Sequence, residues 1–120
     1  MMRVSGLAVL LLLALSAEAA ASCSVPRFRT MVNQTVDGFM AADSGKPCGV
    51  HFHAAGPRFG VAILQRPSHG TVQIGGVGSV IYRSKSGYAG SDSFTFERRG
   101  LTTLGAPAVT TTRMAVTVSP

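Results

Sequence analysis

Tryptophan is absent from this 120-residue chain, and acidic residues are few: five Asp and Glu stand against eleven Lys and Arg. Each shortage excludes something. Calcium takes six to eight oxygen ligands, usually from several carboxylates. Past the N-terminal apolar run the chain offers only Asp37, Asp43, Asp92 and Glu97, with no Asp-x-Asp cluster. Basic residues never run longer than two together, so no tract suited to specific nucleic-acid binding is present. No Gly-x-Ser-x-Gly elbow supplies a nucleophile, and an enzyme also needs a base and an orienting group beside it. The expectation is a protein that is not an enzyme and holds no cofactor. Helical periodicity is missing as well beyond residue 25, where prolines and glycines cut the chain into short Val-, Ile-, Thr- and Phe-rich runs.

What is present begins with an export pattern. Arg3 provides a positive start and residues 4–17, "VSGLAVLLLLALSA", an apolar run. Ala17-Glu18-Ala19 or Ala19-Ala20-Ala21 follows as a small-x-small cleavage site. The run is short for a membrane span of about 20 residues, so residues 1–19 read as a signal peptide and 23–120 as one domain, secreted or periplasmic. Cleavage removes one charge of each sign, Arg3 and Glu18, so the net charge of +6 persists. A basic exported domain is attracted to polyanions, and the expected partner is an unknown protein or an anionic surface polymer.

Two cysteines, Cys23 and Cys48, remain. In an oxidising compartment an even count predicts a disulfide. The alternative is a lipid-modified Cys23 directly behind the signal, although Ala20 stands where such signals favour Leu.

Alternation, which sends successive strand side chains to opposite faces, places Phe94 and Phe96 against Ser93, Thr95 and Glu97. It likewise aligns Met114, Val116 and Val118; Val72 and Ile74; Val80 and Tyr82; and Val50 and Phe52 against His51 and His53. "VAILQ" (61–65) is apolar on both faces and reads as mid-sheet. Seven strands are predicted: 27–36, 47–53, 60–66, 70–75, 78–84, 92–98 and 108–118. Residues 37–47 read as a loop, 98–107 as a long turn and "GGVG" (75–78) as a hairpin turn. The fold class is therefore all-β, an immunoglobulin-like sandwich, with the disulfide tying the entry of the first strand to the second.

One stretch, "RSKSGYAGSDSFTF" (83–96), is dense in turn chemistry. Gly87 and Gly90 can take positive φ. Asp92 can fold its carboxylate onto backbone N–H groups of the turn, and Tyr88 can bury its ring under the corner while its hydroxyl reaches the backbone. Tyr82 ends the strand before and Phe94 and Phe96 enter the core after. Together with "RPSHGTV" (66–72) and "AVTVSP" (115–120), this stretch resembles the Pro-x-His-Gly-Thr-Val … Gly-Tyr-x-Gly-x-Asp-Ser-Phe-Thr-Tyr signature of bacterial Ig-like, cadherin-like repeats. The resemblance covers about the last 55 residues, with Lys85 and Ser86 in place of the family's proline-containing turn and Phe96 in place of its Tyr. It implies an extracellular β-sandwich module, here in a single copy.

The remaining candidate site is a metal site from His51 and His53, two apart on a strand, with His69 or Cys48 as a third ligand. Three functions follow as expectations: a non-catalytic binding module at the bacterial cell envelope, a structural envelope protein without a discrete ligand, and a His-based periplasmic metal-binding protein. Loops 37–46, 54–59 and 98–107 are the expected binding loops, because sandwich domains bind with loops grouped at one end.

Overall fold

The computed structural model describes residues 23–52, 59–75 and 78–120. The signal-peptide reading of residues 1–19, and His53, lie outside these. Every regular element is a strand: β1 (Thr35–Asp43), β2 (Pro47–His51), β3 (Gly60–Gln65), β4 (Gly70–Ile74), β5 (Ser79–Ser84), β6 (Gly90–Leu101) and β7 (Pro107–Ser119). They form a four-stranded sheet in the order β1-β7-β6-β3 and a three-stranded sheet in the order β2-β5-β4. The β1–β7 pair is parallel and every other pair antiparallel. The all-β sandwich expected from alternation is what forms.

The core lies between the sheets and is built by the predicted faces. Val80 and Tyr82 of β5 meet Phe94 and Phe96 of β6 and Met114, Val116 and Val118 of β7, all buried. Tyr82 stacks on Phe94 across the sandwich with ring centroids 5.8 Å apart. Phe94 and Phe52 each stack on Phe96, at 6.2 and 5.9 Å. Such aromatic pairs contribute about 0.5–1.5 kcal/mol beyond the area they bury. With no tryptophan, this ladder of rings carries the packing between the layers.

The first strand is displaced from its expected position. Of the expected strand 27–36 only Thr35 and Val36 are in one; they open β1, which occupies most of the stretch read as a loop, 37–47. In "GFMAA" apolar residues fall on both faces, so the alternation is hidden: Met40 and Ala42 are buried while Phe39 is 61% exposed. Residues 24–34 instead run beside β1, bridged to it at Ser24 and Ala41 and bonded to β7 at Asn33 and Gln34. Phe28 from this segment packs against the core. A second correction concerns β3, which lies at the sheet edge, paired to β6 alone, with a bulge between Ile63 and Gln65. Its apolar residues are half-buried or exposed because no strand covers its outer edge. Ile74 also departs from the core face, at 46% exposure, where β4 runs out past the packed layer. The turn expected over 98–107 shrinks to 102–106 because β6 and β7 continue pairing as far as Leu101 and Pro107.

Candidate functional site

The topology groups the connections at two ends, and the ends differ. One carries the turn 44–46, residues 66–69 and the corner 85–89; the other carries residues 31–34, the β2–β3 and β4–β5 connections and the β6–β7 hairpin tip.

The first end is locked by Asp92. One carboxylate oxygen accepts from the Ser68 N–H at 3.0 Å and the Ser93 N–H at 2.9 Å. The other accepts from the His69 N–H at 3.0 Å and the Tyr82 hydroxyl at 2.8 Å. Asp92 does bond its own turn, as its position suggests, but it also joins β6 to β5 and to the loop before β4. The two halves of the sequence signature, 66–72 and 83–96, are thus one physical unit. Tyr88 is half-buried against the core margin, its ring lying flat on His69 with centroids 4.0 Å apart, and its hydroxyl donates to the Ser91 carbonyl as the corner chemistry suggested. Gly87 and Gly90 adopt φ of 88° and 137°, as the turn chemistry required. Gly70 is needed for another reason, since a Cβ there would collide with the Arg83 carbonyl on β5. Ser44 and Ser84 add bonds to the Gly87 and Gly45 N–H groups at 2.8 and 2.9 Å. The side chains of Asp92, Tyr82, Tyr88, Ser44 and Ser84 are all bonded within the fold at this end, which makes them architecture.

Burial raises the Tyr82 phenol well above the ordinary tyrosine value, with the Asp92 hydrogen bond and charge adding to the shift. A folded pKa above the unfolded one means that this contribution to stability is fully present below pH ~10 and is lost as pH rises beyond it. In a Tyr88→Phe background, which leaves Tyr82 as the sole tyrosine, phenolate absorbance is expected to appear only together with loss of the strand signal in circular dichroism. Ionisation of Tyr82 in a chain that stays folded through pH ~11 would contradict the bonding described.

The described members of the metal reading are not brought together, and His53 lies outside the described residues. His51 is exposed at the far end of β2, His69 is stacked on Tyr88 at the opposite end, and Cys48 is bonded to Cys23 with Cα atoms 5.2 Å apart. Among the described residues no three His, Cys, Asp or Glu side chains converge on a metal-sized site. The disulfide commits the Cys23 sulfur, which leaves no thiol there for a lipid.

The second end is different in character. Of the seven exposed large hydrophobic residues among those described, Met31, Val32, Ile74, Leu101 and Leu104 belong to it, and Leu104 is 93% exposed. Residues 31–34 are fastened to β7 by the Asn33 N–H on the Val109 carbonyl at 2.6 Å and by the Val109 N–H on Asn33 Oδ1 at 3.0 Å. Arg98 lies 4.7 Å over the Phe52 ring, half-buried, and burial lowers its pKa from the usual arginine value. Arg99 pairs with the buried Glu97. Exposed apolar side chains gathered at one end of a domain are candidates for an interaction site. Sequence reasoning named 54–59, 98–107 and 37–46 as binding loops: the turn within 98–107 falls at this end, 37–46 is mostly β1, and 54–59 lies, apart from Phe59, outside the described residues.

A third feature lies on the outer face of the four-stranded sheet. A groove of about 360 Å³ is lined by Asp37, Phe39, Gln65, Thr95, Arg113 and Ala115. Asp37 and Arg113 form an exposed ion pair at 2.9 Å across it, which neutralises the face. Exposed pairs of this sort contribute at most about 1 kcal/mol. No protein-family model matches this chain, and no curated protein is significantly similar to it.

Proposed function

We propose that this protein is an exported, non-catalytic Ig-like module that engages a partner at the bacterial cell envelope through the loop end bearing the β6–β7 hairpin tip. The observation that carries this reading is the asymmetry of the ends: one is polar and internally bonded, the other holds five exposed apolar residues on elements fastened to the sandwich. The Ig-like assignment is supported by strand grouping. With β2 to β7 taken as the second to seventh Ig strands, β2-β5-β4 and β3-β6-β7 reproduce the two sheets of the constant type. Only β1 departs, lying parallel to β7 instead of joining the smaller sheet. Export is supported by the N-terminal apolar run and by the disulfide, which persists in oxidising compartments.

The test is retention on an isolated envelope fraction. Leu104→Asp is expected to reduce retention at least tenfold, while Ser86→Asp, the same charge at the locked end, leaves it unchanged. Equal retention of both variants and the parent chain would exclude the loop end as the binding surface.

A further inference from the structure

We propose that the partner of this loop end is a lipid surface with anionic headgroups, into which the β6–β7 tip inserts. The proposal rests on the loop-end reading above and adds the identity of what is bound.

The first ground is the backbone of the tip. Inside a bilayer, unbonded N–H and C=O groups are costly, so an inserted segment must satisfy its own. The Thr102 N–H donates to the Ala106 carbonyl at 2.8 Å and the Gly105 N–H to the Thr102 carbonyl at 2.9 Å. The Thr102 hydroxyl accepts from the Leu104 and Ala106 N–H groups at 3.3 and 3.1 Å. Pro107, next in line, has no N–H to satisfy. From Thr102 to Ala106 every N–H but that of Thr103 is bonded within the tip, so few donors stay open for a protein partner, and Leu104 is presented outward.

The second ground is charge placement. Strand alternation puts Arg98 and Arg99 on opposite faces of the hairpin, so cationic groups flank the base of the tip on both sides. Two residues of strand separate Arg99 from Leu101, roughly 7 Å at the strand rise. Insertion of the apolar tip to about 5–10 Å, the usual depth for interfacial segments, therefore brings the exposed Arg99 guanidinium to the headgroups, while Arg98 stays half-buried over Phe52 behind it. The only described carboxylate near them, Glu97, is buried and bound to Arg99. The net charge of +6 draws every face of the protein toward an anionic membrane. Lys46, Arg83 and Lys85 make the locked end basic too, so charge alone selects no orientation; the apolar tip selects one.

The absence of tryptophan makes the test direct, because a single introduced indole reports its own surroundings. The purified exported chain carrying Leu104→Trp, and another carrying Ser86→Trp, are mixed with vesicles of phosphatidylcholine alone or with phosphatidylglycerol. The expected result is blue-shifted emission from the Leu104→Trp chain only, on the anionic vesicles only. In the otherwise unaltered chain, Leu104→Glu should reduce co-sedimentation with those vesicles at least tenfold. Co-sedimentation that is lost with added salt but indifferent to Leu104→Glu, with no spectral shift, means adsorption by charge and overturns the proposal. No vesicle binding, together with Leu104-dependent retention on envelope protein, overturns the lipid partner in favour of a protein while the loop-end reading stands. If neither vesicles nor envelope fraction respond to Leu104, both readings fall.

Discussion

Asp92→Ala is expected to destabilise the fold by about 4 kcal/mol, since hydrogen bonds to charged groups contribute about 1.5–3 kcal/mol each and an orphaned buried donor costs about 1–3. The Tyr82 hydroxyl, on a residue with 0% exposure, bonds to no acceptor but Asp92 and is left stranded in the core. The Ser68 and His69 N–H groups fare better because both residues are exposed and water can replace the carboxylate. Their loss therefore adds less than the orphaned phenol, which is why the total stays near 4 and does not reach the sum of four charged bonds. For a domain of about 100 residues with 5–15 kcal/mol of total stability, this removes a large share. Urea unfolding of the parent, Asp92→Ala and Asp92→Asn chains checks it. The amide keeps one acceptor oxygen, and its loss should fall near half that of alanine. A loss below about 1 kcal/mol for alanine, the worth of one ordinary hydrogen bond, would show that Asp92 does not hold the corner.

Removing the Cys23–Cys48 disulfide should cost about 3.5 kcal/mol, the chain-entropy value for closing a loop of this length; the cysteines are 25 residues apart. Two consequences are separable. The unfolded chain gains freedom, and the segment 24–34, joined to β1 by one bridge and to β7 at its far end, loses its N-terminal anchor. Phe28, which packs beside Gly38 and Met114, is then free to leave the core margin. Replacing both cysteines by alanine avoids burying a hydroxyl at Cys48, which is buried in the oxidised protein. Thermal unfolding of that variant and of the parent with and without reductant should give matching decreases. An unchanged midpoint on reduction would mean that the bond does not constrain this fold.

These two effects bear on the proposed function through a division of labour. The locked end and the disulfide keep the sandwich rigid, and rigidity lets the opposite end carry apolar side chains that are not absorbed into a core. Five exposed hydrophobic residues at one end are an aggregation liability for a soluble domain. The same residues become a binding surface once the elements bearing them are held apart, as Asn33 holds residues 31–34 against β7.

Strand by strand, the late half of the chain was legible because each of its strands has one wet face. "SFTF" and "MAVTV" alternate cleanly, and their residues sit in the sandwich as alternation requires. The early half was not, for an equally physical cause. "GFMAAD" is apolar on both faces because Phe39 lies over an outer groove while Met40 and Ala42 enter the core. The edge position of β3 was hidden in the same way, since a strand that reads as buried on both sides is indistinguishable by pattern from one whose apolar edge is left open.

From the sequence alone follow the all-β class, the core faces of β5, β6 and β7, and the positive φ at Gly87 and Gly90, because period-2 burial and glycine placement are local properties of the chain; the Cys23–Cys48 bond was one of two readings there, and the structure selects it. Only the tertiary structure decided that Asp92 bonds across to Tyr82 and His69, that β1 lies parallel to β7, and that Met31, Val32, Ile74, Leu101 and Leu104 share one end. Those are meetings between residues far apart in the chain, set by strand order and direction, and no local pattern encodes which ends of the strands come together.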